Sequence, residues 1–138
     1  MAERVVAVSG GFDPLHVGHV RMIQAAAKLG TRLVVIVNGD EFLVRKKGYA
    51  FMPLAERVEI VRALRDVDEV VAAVDPDQTV RETLRLVKPH VFANGGDRHN
   101  VEDIPETAVC RELGIEMVFN VGGGKVQSSS DLVQRSGH

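Results

Sequence analysis

Cysteine is almost missing from this sequence. Cys110 stands alone, so no disulfide can form within the chain. Its neighbours, Ala108-Val109-Cys110-Arg111-Glu112, read as consecutive helix positions, and the thiol as a residue of no chemical use. An excess of one charge is missing too. Lys and Arg number 17 against 19 Asp and Glu, a formal net charge of −2. That balance argues against a nucleic-acid partner bound by bulk positive charge, and leaves room for a local anion site. No apolar run reaches the ~18 residues of a membrane span. Met1-Ala2-Glu3-Arg4 runs straight into an apolar stretch and leaves no room for a signal peptide. A cytoplasmic protein with no membrane partner is expected. No Gly-x-Gly-x-x-Gly follows the first apolar stretch, which speaks against a dinucleotide-binding redox domain. Internal repeats, low-complexity tracts and linkers are also missing.

What is present suits one domain, residues 1–138, with an ordinary 45% hydrophobic and 26% charged residues. The frayed look of Ser136-Gly137-His138 is compatible with one domain of a longer protein. Apolar runs alternate with helical patterns. Strands are expected at Arg4–Ser9, Arg32–Asn38, Glu69–Val74, His90–Ala93 and Glu116–Val121. Helices are expected at Gly18–Leu29, Pro53–Arg65, Asp77–Val87, Pro105–Leu113 and Ser128–Arg135, with a polar loop over 39–53 and another over 94–104. This alternation predicts a Rossmann-like, doubly wound α/β fold: a five-stranded parallel sheet in the order 3-2-1-4-5 with helices on both faces. Such sheets bind ligands at the carboxyl ends of their strands.

The richest segment follows the first strand: Ser9-Gly10-Gly11-Phe12-Asp13-Pro14-Leu15-His16-Val17-Gly18-His19. Gly10 and Gly11 let backbone approach a ligand closely. His16 and His19, three apart at a helix start, can face one spot, and Gly18 removes bulk between them. A helix start offers free N–H groups and partial positive charge to a phosphate. The other reading of the pair is a helix cap or a metal site. Asp13 is read as bracing the turn or touching Mg²⁺. Arg57 and Arg65 are eight apart, on one helix face two turns apart; one can reach the site while the other pairs with Asp68 or Glu69. Asp97 is read equally as a turn residue or as a ligand for ribose hydroxyls or the acceptor.

The Gly-Gly-Phe-Asp turn with His-x-Gly-His resembles the signature of the cytidylyltransferase-like nucleotidyltransferases. Further segments fit: Asp40-Glu41-Phe42 with Lys46 in a basic loop, the Arg57 helix through Asp68-Glu69, Asn94-Gly95-Gly96-Asp97-Arg98, and Gln127-Ser128-Ser129-Ser130. The middle is similar to the glycerol-3-phosphate cytidylyltransferases. The Gly-Gly-Asp loop is closer to the adenylyltransferase domains that activate heptose 1-phosphate. One departure stands out. Where the glycerol phosphate enzymes carry Arg-Thr before the last helix, this chain has Gly122-Gly123-Gly124-Lys125-Val126.

The resemblance implies transfer of a nucleoside monophosphate to a phosphate- or phosphonate-bearing acceptor, with pyrophosphate released. His16, His19 and Lys46 would be catalytic. Gly10, Gly11, Phe12, Asp13, Gly18, Asp40, Arg57, Asp97, Gln127, Ser128, Ser129 and Ser130 would bind the nucleotide, and Arg65, Arg98 and Lys125 the acceptor. CTP is the expected donor, with ATP and a sugar phosphate as the alternative. Mg²⁺ is the expected cofactor and a homodimer the expected assembly. The acceptor phosphate has a second pKa near ~6 and is already anionic, so no general base is required. A nucleotide-binding module with degraded catalysis is a third reading, supported by the altered serine segment and opposed by the intact histidine pair.

Overall fold

The computed structural model describes residues 3–75, 79–95, 104–119 and 121–122, with Phe42, Arg45, Lys46 and Lys47 represented by backbone alone. Five parallel strands form one sheet: β1 (Val5–Gly10), β2 (Arg32–Val37), β3 (Glu69–Ala72), β4 (Val91–Ala93) and β5 (Glu116–Val118). Their order is β3-β2-β1-β4-β5, as the alternation predicts. β1 lies at the centre, with Val5 opposite Arg32 of β2 and Val6 opposite Val91 of β4.

Alternating side chains of the strands feed two cores. Val6 and Val8 of β1, with Val35 and Val37 of β2, pack with Ile23 and Val61 on one face. Ala7 and Ile36 point the other way, onto Leu84, Phe92 and Cys110. The first face is covered by α1 (Val17–Ala27) and α3 (Leu54–Arg62), the second by α4 (Arg81–Val87) and α5 (Thr107–Leu113). Burial, and then the charge of Glu106, push the Cys110 thiol up to about 11. The thiol is therefore protonated and inert, as a purely structural helix residue should be.

The stretch 39–53, expected as a loop, contains α2 (Asp40–Lys47). Asp40 and Glu41 suit its positive end. Leu43 is buried against the sheet's edge, and Gly48 closes the helix in the left-handed conformation, φ 88°. Periodicity could not reveal a short, mostly polar helix in which Leu43 is buried. The helix expected at Asp77 starts instead at Arg81. The Asp75 carboxylate accepts the N–H groups of Glu82 and Thr83 and fixes the first turn there. β5 ends at Val118, three residues early, because the chain hooks back and the Val121 N–H donates to the Asn94 carbonyl. At Gly122, φ 93°, a Cβ would lie 2.8 Å from Cα of Met22. The chain therefore crosses α1 where only glycine fits. The expected helix at Ser128–Arg135 lies outside the described residues.

Candidate active site

The carboxyl ends of β1 and β2 and the start of α1 meet in one place. His16 occupies the cap position of α1 in an extended conformation. Its Nδ1 accepts the Gly18 N–H at 3.0 Å, and Nδ1 of His19 accepts the His16 N–H at 3.2 Å. The pair thus caps its own helix, and this capping has a chemical consequence. An Nδ1 that accepts carries no proton, so the neutral ring carries its proton on Nε2 and presents a donor there. The rings stack, with centroids 3.9 Å apart and planes 27° from parallel. Burial, and then the proximity of His16, lower the His19 pKa from 6.5 to about 4. At neutral pH His19 is therefore an uncharged hydrogen-bond donor.

Phe12 holds that ring from below. Its own ring is buried and meets His19 edge-on, centroids 5.0 Å apart at 67°. It also lies over Gly10, where a Cβ would come within 3.1 Å of the ring. Its backbone is left-handed, φ 50°, which is strained for a residue with a side chain. Phe12 thus supports the histidine pair from the core. Gly11 has a comparable reason: a Cβ there would lie 2.6 Å from Cδ2 of Leu43 on α2.

Asp13 and Arg57 are both buried. The two Asp13 oxygens accept the N–H groups of Phe51 and Met52, each at 2.6 Å. Asp13 therefore braces the turn, one of the two roles expected of it. The Arg57 guanidinium donates to the carbonyls of Met52 (2.9 Å), Gly11 (2.9 Å) and Asn38 (2.5 Å), and to the half-exposed Asp40 carboxylate at 2.6 Å. A buried cation is tolerated when so fully bonded. Its donors point into protein, so the structure places Arg57 behind the site, with Asp40 tied to it. Sequence offered a signal for this. Leu54, Arg57, Val58 and Val61 lie on one helical stripe, so Arg57 occupies an apolar row. Asn38 was missed altogether. It is buried at the end of β2, and its Oδ1 has no hydrogen-bond partner.

Arg65 is not brought to this place. It follows α3 in the turn that enters β3, at the amino edge of the sheet. There it lines a shallow cleft with Val20, Gln24 and Asp66. Its expected partners are otherwise engaged: Glu69 pairs with Arg32, and Asp68 accepts the Leu33 N–H at 2.7 Å. Lys46 lies on the last turn of α2 by its backbone. Asp97, Arg98, Lys125, Gln127, Ser128, Ser129 and Ser130 lie outside the described residues. Among the described residues no group of three or more His, Cys, Asp or Glu could hold a metal ion. Asp13 spends both oxygens on backbone amides, so the described residues do not form a cage for Mg²⁺. No described helix is long and apolar enough to cross a membrane.

The family model described as cytidylyltransferase-like matches residues 7–132. The chain is 44% identical over 117 residues to the bifunctional protein HldE of Streptomyces coelicolor, covering 83% of this chain and 25% of that protein. It therefore spans about a quarter of the length of that relative. It is 35% identical over 115 residues to the FAD synthase of Pyrococcus horikoshii, covering 82% of this chain and 77% of that protein. A lipopolysaccharide core biosynthesis protein from Thermoplasma volcanium has a TM-score of 0.75 over 91% of this chain and all of its own. At 23% identity that likeness speaks to the fold alone.

Proposed function

This chain belongs to the cytidylyltransferase-like family, and we propose that it is a nucleotidyltransferase and, within the family, an adenylyltransferase, joining the AMP of ATP to the phosphate of a small acceptor and releasing pyrophosphate. The expectation of CTP rested on the stretch from Asp40 to Asp68. The named relatives favour the alternative, because HldE carries a heptose 1-phosphate adenylyltransferase domain and HldE and FAD synthase both use ATP. The Gly95-Gly96-Asp97 loop resembles the adenylyl side as well.

The observation that carries the reading is the histidine pair with both Nδ1 atoms occupied. With Nδ1 accepting, each ring carries its donor on Nε2, and the His19 ring is uncharged at neutral pH. An oxygen of the acceptor phosphate, already anionic, attacks the α-phosphorus of ATP. The new P–O bond forms as the bond to the β-phosphate oxygen breaks, and the electron pair leaves with pyrophosphate. The chain must hold the two phosphates in line and stabilise charge growing on the leaving group. His16 and His19 suit that work, and Lys46 is proposed as the cation that acts with them. Asp97, Arg98, Lys125 and the serines Ser128–Ser130 remain the proposed contacts to ribose and acceptor.

The test is pyrophosphate release from ATP and from CTP with a panel of acceptors: a sugar 1-phosphate, a flavin phosphate and glycerol phosphate. Release with ATP and one of the first two supports the reading. Release with CTP and glycerol phosphate would restore the cytidylyl reading, and no release with any pair would favour a binding module. The resemblance also implies a homodimer. Sedimentation at micromolar concentration is the check, and a single monomeric species would refute it.

A further inference from the structure

Met52, in the connection between α2 and α3, is held by both its backbone N–H and its carbonyl. Asp13 takes its N–H and Arg57 donates to its carbonyl. The same Arg57 reaches the Gly11 carbonyl, and the same Asp13 takes the Phe51 N–H. Gly11 and Asp13 flank Phe12, whose left-handed backbone carries the ring that packs on His19. Strained backbone persists only where its neighbours over-determine it. Here the residues on both sides of the strained one are tied to a single strap, Phe51–Met52.

We propose that Asp13 and Arg57 are positioning residues that act as one clamp: through Met52 they hold Phe12 in its left-handed conformation and so set the place of the His19 ring. The proposal rests on the nucleotidyl-transfer reading for its effect on turnover, and on the geometry alone for its effect on the ring. It separates the fixed part of the site from the rest. The Phe51–Met52 strap is anchored to the β1 turn, whereas α2 between Asp40 and Gly48 is anchored by the Asp40–Arg57 pair and by Leu43 on Gly11.

The experiment uses D13N, R57K and the double variant. Each conserves size, but Asn cannot accept at both side-chain atoms, and Lys cannot spread donors over three carbonyls. Each single variant is expected to lower kcat by ~10- to 10²-fold while KM for the donor moves less than about threefold. Because the clamp is one unit, the double variant should be little worse than the poorer single one. The ring-proton NMR shifts of His19, set by the ring current of Phe12, should move in each variant, and the Phe51 and Met52 amides should exchange faster. Multiplying losses in the double variant, or His19 shifts identical to those of the unaltered protein, would overturn the proposal. If either variant fails to fold, F12L tests the last link: lowered kcat at unchanged donor KM supports it, and unchanged kcat defeats it. Absence of pyrophosphate release from the unaltered protein would sink the functional reading alone, because the ring shifts still decide the clamp.

Discussion

The rings of His16 and His19 stack at 3.9 Å while each Nδ1 accepts a backbone N–H at the start of the same helix. Nδ1 of each ring thereby serves folding, and Nε2 is the atom proposed for chemistry. The two roles can be separated. H16N keeps an oxygen acceptor of good capping character but removes the Nε2 donor, so stability should stay within about 0.5 kcal/mol, the range of an adequate cap exchange, while kcat falls by ~10²-fold or more. H16A should lose both, with about 1 kcal/mol of stability gone. Urea unfolding and initial rates on the same samples check this. Full activity in H16N would remove His16 from the chemistry.

His19 makes acid stability its own test. Its pKa in the folded protein lies below the unfolded value, lowered from 6.5 to about 4. The unfolded chain therefore binds a proton that the folded chain refuses. The sign follows: as pH falls from 6.5 towards 4, stability falls, at up to about 1.4 kcal/mol per unit from this group. H19Q should show a shallower loss over that window than the unaltered protein. Parallel curves of unfolding free energy against pH would contradict the assignment.

Two glycines should respond differently to a methyl group. At Gly11 the obstacle is the far end of the Leu43 side chain, which can turn aside. At Gly122 it is the backbone of α1, and φ is 93°. G122A is expected to destabilise by more than about 2 kcal/mol, since clash and left-handed strain add. G11A should cost less, and less again when combined with L43A. Thermal and denaturant unfolding decide this, and equal costs at the two positions would show that one approach has been misread.

Hydrogen exchange distinguishes α2 from the strap beside it. The glycine, the charged residues and the lack of apolar periodicity in 43–52 predict that this stretch becomes better protected when nucleotide binds. With Phe51 and Met52 already held by Asp13, the gain should concentrate in 43–50. Protection unchanged by ATP across the whole stretch would count against closure.

Much of this architecture was legible in sequence for identifiable reasons. The buried strands β1 and β2 are continuous apolar runs, so their existence and parallel order could be read directly. The His-x-Gly-His segment marked the site because two imidazoles at a helix start after a glycine turn have few other uses. What stayed hidden depends on hydrogen bonds between distant segments. Nothing local tells that Asp13 takes the amides of residues 51 and 52, or that Arg57, whose place in an apolar row hints that it faces inward, spends its donors on the carbonyls of Gly11, Asn38 and Met52. The place of Arg65 depends on α3 ending at Arg62 and the chain turning into β3, which the helical pattern running from Pro53 to Arg65 does not reveal. α2 was overlooked because its polarity hid a helix held by Leu43 and ended by Gly48.

The central claim is adenylyl transfer at the histidine pair. Its most direct test is product analysis of one reaction, with ATP and CTP present together, a sugar 1-phosphate or flavin phosphate as acceptor, and the unaltered protein beside H19A. The account predicts an acceptor carrying AMP, pyrophosphate in equal amount, at least tenfold preference for ATP in kcat/KM, equivalent to ~1.4 kcal/mol of transition-state binding, and loss of product in H19A. An acceptor carrying CMP, or product formed equally well by H19A, would contradict it.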